Sequence, residues 1–269
     1  MSKAVSKSVS KGATPEGARD EQSASAAVQA MFNSIAPRYD LLNHVLSANI
    51  DRLWWWRTAQ RFREVLRRPE AAVLDICCGT GDMTMALLKY RPVGARPVIA
   101  ADFAREMLSR GAKKFSGPFR KHGSAIAVEA DALHLPLRTG ELDLITTAFG
   151  FRNLANYQDG LTEFARVLKA GGQVGILDFS EPDGLLGKLY QFYFKRILPA
   201  IGRMLGGTEG AYSYLPASVS KFPPPLEMLA MMRAAGFTDV MWTPYTFGIA
   251  GLFTGVRAPD PAVMTEKSE

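Results

Sequence analysis

The stretch Val73-Leu74-Asp75-Ile76-Cys77-Cys78-Gly79-Thr80-Gly81-Asp82 constrains this protein more than any other. Ala71 to Ile76 is an apolar run of strand length bounded by a turn, which predicts a parallel strand covered on both faces. Gly79 and Gly81 permit a tight turn and a close approach of backbone to ligand. Asp82 then opens a helical pattern, Met83 to Tyr90. Strand, glycine loop and helix together form the entry to a nucleotide-binding α/β sheet.

The neighbours narrow the ligand. A dinucleotide fingerprint wants a third glycine, and that position holds Thr84. Asp82 sets a negative charge at the helix N-terminus, where a pyrophosphate would sit; a cationic ligand suits better. The next strand, Pro97 to Ala101, ends in Asp102, a little over ~20 residues past the glycines, the spacing of an acid that binds ribose hydroxyls. A third strand, Ala125 to Glu129, leads to Asp131-Ala132, a position to accept from an adenine amino group. Ribose, adenine and a cation together describe S-adenosylmethionine.

At these residues the sequence resembles the S-adenosylmethionine-dependent methyltransferases, and more closely the quinone C-methyltransferases of menaquinone and ubiquinone biosynthesis. The resemblance is carried by Met31-Phe32-Asn33-Ser34-Ile35-Ala36-Pro37-Arg38-Tyr39-Asp40, by Asp75 to Asp82 and by Phe149-Gly150-Phe151-Arg152-Asn153-Leu154. It continues through Arg166-Val167-Leu168-Lys169-Ala170-Gly171-Gly172 and Leu177-Asp178-Phe179-Ser180, running from about Met31 to Val256. It implies an α/β fold: a seven-stranded, mostly parallel Rossmann-like sheet with helices on both faces and a C-terminal antiparallel hairpin. For S-adenosylmethionine, Asp75, Gly79, Thr80 and Gly81 are expected around the methionine part, Asp102 at the ribose, and Asp131 and Ala132 at the adenine; the resemblance implies Thr80, Asp102, Asp131 and Ala132 residue by residue. Some relatives carry a serine where Ala148 stands, so no serine contact is expected there.

From the N-terminus, residues 1–25 are Ser-, Lys-, Ala- and Gly-rich and read as a disordered tail. Residues 26–258 read as a single domain, with 26–68 as helices ahead of the sheet and 183–222 as an insertion; 259–269 reads as a flexible C-terminus. Pro37 is expected to break the first helix, and Asp51 to cap the helix carrying Trp54-Trp55-Trp56. Gly171-Gly172 is expected to end a helix from Tyr157 to Lys169 and turn into a fifth strand, Gln173 to Phe179. Two adjacent cysteines and 3 scattered histidines offer neither a disulfide framework nor a metal site.

The net charge of +6 is concentrated. Asp51 to Arg68 holds six arginines against two acids, and Asp183 to Lys221 five basic residues against two acids. Two basic patches suggest a docking face. In Leu185 to Leu205, Lys188, Lys195, Arg196 and Arg203 share one stripe beside an aromatic and aliphatic face, the pattern of a helix lying in lipid headgroups. The expected partners are a polyprenyl quinol and the inner face of the cell membrane, met peripherally from the cytoplasm, with no nucleic acid. A homodimer stays open.

Carbon methylation needs a nucleophilic ring carbon, which an ionised quinol hydroxyl supplies. A phenol pKa near ~10 makes ionisation at pH 7 cost roughly 4 kcal/mol, and one placed donor or cation in a dry site recovers about 3–4 kcal/mol. The resemblance puts Arg152 and Asn153 at the substrate, with Tyr39 a further contact; Arg152 would stabilise the anion or, as the plainer reading, pair with an acid between two loops. Water or a side group such as the His44 imidazole would take the proton. The leading substrate is demethylmenaquinol. The alternatives are a polyprenylated methoxy-benzoquinol, a soluble small molecule or RNA, and a non-catalytic subunit that keeps the cofactor fold.

Overall fold

The computed structural model describes residues 12–13, 15, 17–36, 49–115, 123–180, 182, 214 and 217–259. Strands β1 (Val73–Ile76), β2 (Val98–Asp102), β3 (Ala125–Glu129), β4 (Leu142–Ala148), β5 (Leu168–Phe179), β6 (Phe237–Tyr245) and β7 (Ala250–Arg257) form one sheet. Their order is β3-β2-β1-β4-β5-β7-β6. Neighbours from β3 to β5 pair in parallel, and β7 runs antiparallel to both β5 and β6. This is the seven-stranded, mostly parallel sheet with a closing hairpin that was expected. The order of succession reverses at β1 and β4, the place where such sheets open a ligand crevice at their carboxyl ends.

β1 shows why its sequence is apolar throughout. Val73 packs into one core with Trp54, Phe62, Leu66 and Leu87, while Leu74 and Ile76 pack into another with Tyr157, Phe164, Met228 and Phe253. Alternate side chains enter opposite faces, so both must be hydrophobic. The helices among the described residues are α1 (Glu21–Ile35), α2 (Ile50–Arg61), α3 (Arg63–Leu66), α4 (Asp82–Leu88), α5 (Arg105–Phe115), α6 (Tyr157–Val167) and α7 (Pro225–Ala234), and all but α1 cover these faces.

One close approach fixes the core around Phe62. A Cβ at Gly175 would lie 2.4 Å from the ring of Phe62, which is itself buried. Gly175→Ala is expected to lower stability by about 1–3 kcal/mol through overpacking. Adding Phe62→Leu should restore part of the loss in urea unfolding; an unchanged midpoint in the single variant would contradict this packing.

Three local expectations are corrected. The N-terminal stretch is not disordered up to residue 25. Asp20 and Ser23 form a reciprocal capping box that starts α1 at Glu21, with Ser23 N–H donating to Asp20 Oδ1 at 2.7 Å and Asp20 N–H to Ser23 Oγ at 3.1 Å. Further back, Ala13 is buried and its N–H donates to Leu154 O at 2.8 Å. Asp51 is not the cap of α2: Asn49 holds that position with φ 62, and Asp51 is buried in the first turn. Gly171-Gly172 does not end a helix either. Leu168 is already extended and pairs with Leu142, while Gln173 pairs with Leu144, so Lys169 to Gly172 bulge out of β5. Tyr39, Asp40, His44 and the stripe in Leu185 to Leu205 lie outside the described residues.

Candidate active site

The carboxyl ends of β1, β2, β3 and β4 converge on an open cleft. After β1 the backbone turns through Cys77, Gly79 and Gly81 at φ 55, 54 and 85. At Gly81 a Cβ would meet the Phe115 ring at 2.4 Å, so both angle and space require glycine there. Gly79 lines the cleft.

Asp102, the last residue of β2, also lines it. Its Oδ2 accepts from Gly79 N–H and its Oδ1 from Ala104 N–H, each at 2.7 Å. Burial pushes the carboxyl up to about 6, opposed by hydrogen bonds from the Ala104, Gly79 and Phe103 amides. With three amide donors named, the carboxylate keeps one acceptor site for a further donor. Beyond β3, Asp131 and Ala132 form the adjoining wall, with Asp131 Oδ1 held by Leu133 N–H at 2.9 Å. Phe103, Met107 and Leu133 add an apolar slot between the two acids.

Asp75, Thr80 and Gly81 are not among the lining residues. Asp75 is fully buried, accepting from Thr84 Oγ1 at 2.5 Å and Thr146 Oγ1 at 2.9 Å. It ties α4 and β4 to β1 beneath the loop. Thr84 therefore has a reason of its own to replace the third glycine. Asp82 is paired with Lys114 at 2.9 Å, so the negative charge on the cleft comes from Asp102 and Asp131 instead.

Desolvation, opposed by the two threonine hydroxyls, pushes the Asp75 carboxyl up to about 7. An acid with a raised folded pKa keeps its proton in the fold while the unfolded form ionises. Stability should therefore fall as pH rises from about 4 to about 7 and level off above that. Asp75→Asn is expected to flatten this slope in urea midpoints measured across the window; a slope unchanged in the variant would assign it to other groups.

The far end of the cleft is the turn after β4. Phe149 stands at φ 58, a left-handed angle that costs a non-glycine residue about 1–3 kcal/mol. Its carbonyl accepts from Arg152 Nη1 and, at 3.3 Å, from Asn153 Nδ2. Phe149, Gly150 and Asn153 line the cleft, and Tyr214 OH donates to Asn153 Oδ1 at 3.1 Å. Arg152 does not line it. Its guanidinium pairs with Asp178 Oδ1 at 2.7 Å, with side-chain exposures of 6% and 0%, and lies 5.2 Å over the Phe179 ring. Of the two readings open in the sequence, the structure forms the ion pair. Arg152 clamps the strained turn that carries Asn153 to the cleft.

The roof is the part that sequence reasoning missed. Ser25 and Phe32 of α1 line the cleft. Gln29 Nε2 donates to Phe103 O at 2.6 Å, and Asn33 Oδ1 accepts from Glu106 N–H at 3.1 Å, serving an open donor in the first turn of α5. On the opposite rim Asn156 Nδ2 donates to Glu21 Oε1 at 3.3 Å. α1 thus lies across the cleft, fastened on both sides. Phe32 and Asn33 belong to the Met31 to Asp40 segment, the signal that pointed here.

Residues 19–257 match the ubiE/COQ5 methyltransferase family. The chain belongs to that family. It is 43% identical over 242 residues to a demethylmenaquinone methyltransferase of Deinococcus radiodurans, an alignment covering 88% of this chain and 95% of that one. It is 44% identical to the enzyme of the same name from Thermus thermophilus, covering 84% and 100%. A ubiquinone/menaquinone biosynthesis C-methyltransferase of Geobacter sulfurreducens is 39% identical, covering 86% and 88%. Among solved structures, magnesium protoporphyrin IX methyltransferase from Synechocystis, solved with bound S-adenosylmethionine, superimposes with a TM-score of 0.58 at 13% identity, covering 87% and 97%. That likeness is one of fold.

The residues present fit S-adenosylmethionine. Two carboxylates at successive strand ends suit a cationic nucleoside, and the slot of Phe103, Met107 and Leu133 suits a purine. A Cβ at Gly150 would stand 2.3 Å from the Cys77 Cβ, so glycine lets the turn after β4 pack directly against the loop after β1. Among the described residues there is no group of three His, Cys, Asp or Glu side chains placed to hold a metal.

Proposed function

We propose that this protein methylates a ring carbon of demethylmenaquinol with S-adenosylmethionine, working at the inner face of the cell membrane. The observation that carries the reading is the pairing of an acidic nucleoside cleft with the Phe149–Asn153 turn, in a protein whose 43% and 44% identical relatives are demethylmenaquinone methyltransferases. Gly79, Asp102, Asp131 and Ala132 are the residues to hold the cofactor, with Asp75, Thr80 and Gly81 shaping the loop from behind. When bound, S-adenosylmethionine supplies an electrophilic methyl on a sulfonium.

The protein's part is to hold the ring carbon in line and favour the ionised quinol. Asn153 stands in the cleft lining and is the polar side chain that this turn offers to a substrate oxygen. Its carboxamide bond to Phe149 O is long enough to be exchanged for that oxygen. Arg152, neutralised by Asp178, is a positioning residue, and roughly 3–4 kcal/mol of anion stabilisation cannot be assigned to its free charge. Tyr39 as a further substrate contact and His44 as proton acceptor belong to the same reading, on residues outside those described. The ring carbon would bond to the methyl carbon as the methyl–sulfur bond breaks, sulfur would leave as a neutral thioether, and the same ring carbon would then give its proton to the acceptor.

A benzoquinol substrate is the second reading, favoured by the Geobacter relative named for both quinone pathways. Purified protein offered labelled S-adenosylmethionine with demethylmenaquinol or with the methoxy-benzoquinol separates the two. Quinone mass spectrometry of cells lacking the protein names the precursor that accumulates. Accumulation of neither precursor would remove both readings.

A further inference from the structure

α2 has two unlike sides. Inward it buries Asp51, Trp54, Thr58 and Ala59. Outward it exposes Ile50, Leu53 and Trp56, the last two 48% and 44% exposed, interleaved with exposed Arg52, Arg57 and Arg61. At 100° per residue these six side chains share one arc of about 180°. The only acid of the helix, Asp51, is on the buried side, so the exposed arc carries three positive charges and no negative one.

A second apolar group stands beside it. Phe247, 83% exposed, is at the tip between β6 and β7, where Thr246 and Phe247 adopt φ 44 and 57. Trp54 Nε1 donates to Thr246 Oγ1 at 2.8 Å, and the Arg57 guanidinium lies 4.8 Å over the Tyr245 ring. The tip is thereby seated against the first two turns of α2. Trp54 also packs 5.8 Å from the ring of Phe149, a cleft residue. One helix separates the exposed arc from the aromatic wall of the site.

We propose that the outer face of α2 and the Phe247 tip dock the protein on an anionic lipid surface. Trp56, Leu53 and Phe247 enter the boundary between headgroups and acyl tails, and Arg52, Arg57 and Arg61 meet lipid phosphates. The inference rests on the quinol reading for its purpose: a substrate held in the bilayer is delivered beside the wall of the cleft. A second copy of this protein is the poorer occupant, because a two-fold contact would set this arginine face against itself. None of the residues of Leu185 to Leu205 enters this proposal; they lie outside the described residues.

The test is cosedimentation of the full-length protein with phosphatidylcholine vesicles, with and without phosphatidylglycerol. Binding is expected to the anionic vesicles and to weaken with salt. Arg52→Gln with Arg61→Gln, and separately Trp56→Ser with Phe247→Ser, should each weaken it at least about tenfold. Methyl transfer to a short, water-soluble quinol should stay within about twofold. Unchanged vesicle binding in both variants overturns the proposal. So does a drop in dimer mass or in melting temperature without a vesicle effect, which would give the face to a second copy or to the protein's own segments. Vesicle binding without methylation of any quinol would sink the substrate reading and leave the docking face standing; the reverse pattern would do the opposite.

Discussion

Arg152→Ala is expected to destabilise the fold by about 3–5 kcal/mol, because it leaves the fully buried Asp178 carboxylate without its cation. The same change leaves the Phe149 carbonyl with only the long bond from Asn153 Nδ2, so the strained turn should relax and Asn153 should leave the cleft lining. Turnover then falls as a consequence of position. Urea unfolding measures the first effect. Arg152→Met with Asp178→Asn should recover much of the stability, since no lone charge remains and the amide oxygen can still accept from the backbone N–H at position 152. Recovery of stability without recovery of activity would fit a clamp. Full stability with lost turnover in the single alanine variant would return Arg152 to the role of anion holder.

Asp102→Ala should act on two quantities at once. Cofactor affinity should drop by about 1.5–3 kcal/mol, the scale of a hydrogen bond to a charged acceptor. Stability should drop as well, by about 1–3 kcal/mol for each of the Gly79 and Ala104 N–H groups that loses its acceptor in a buried place. Asp102→Asn keeps one carbonyl oxygen and should retain part of both. Isothermal titration with S-adenosylmethionine, read beside the melting temperature, separates them. Intact affinity in a folded alanine variant would remove Asp102 from the ribose.

The parts legible in the sequence are those whose causes are local. β1, its glycine loop and the acid at the end of β2 lie within thirty residues, and each is demanded by backbone geometry or strand burial. Asp102, Gly79, Asp131, Ala132 and Asn153 meet at one cleft for that reason. What stayed hidden depends on partners far along the sequence. Nothing near Arg152 announces that Asp178, on another strand, neutralises it. Nothing near Asp75 announces Thr146 across the sheet, so an acid read as a cofactor contact is an internal strut. The start of α1 was hidden differently. Asp20 and Ser23 cap a helix inside a stretch whose small and polar composition resembles a tail.

α1 also bears on the order of assembly. Its fastenings reach from Gln29 to Phe103 and from Glu21 to Asn156, separations of 74 and 135 residues. During synthesis the helix leaves the ribosome before any surface that it covers, and contacts of such span form only after the intervening segments have folded. The last piece to dock is held by a few polar bonds and a small apolar cluster, so it is also the first to open. Amide exchange in α1 should therefore report occupancy of the cleft: a ligand bound beneath the helix slows its opening, and whatever frees the helix shortens the ligand's stay.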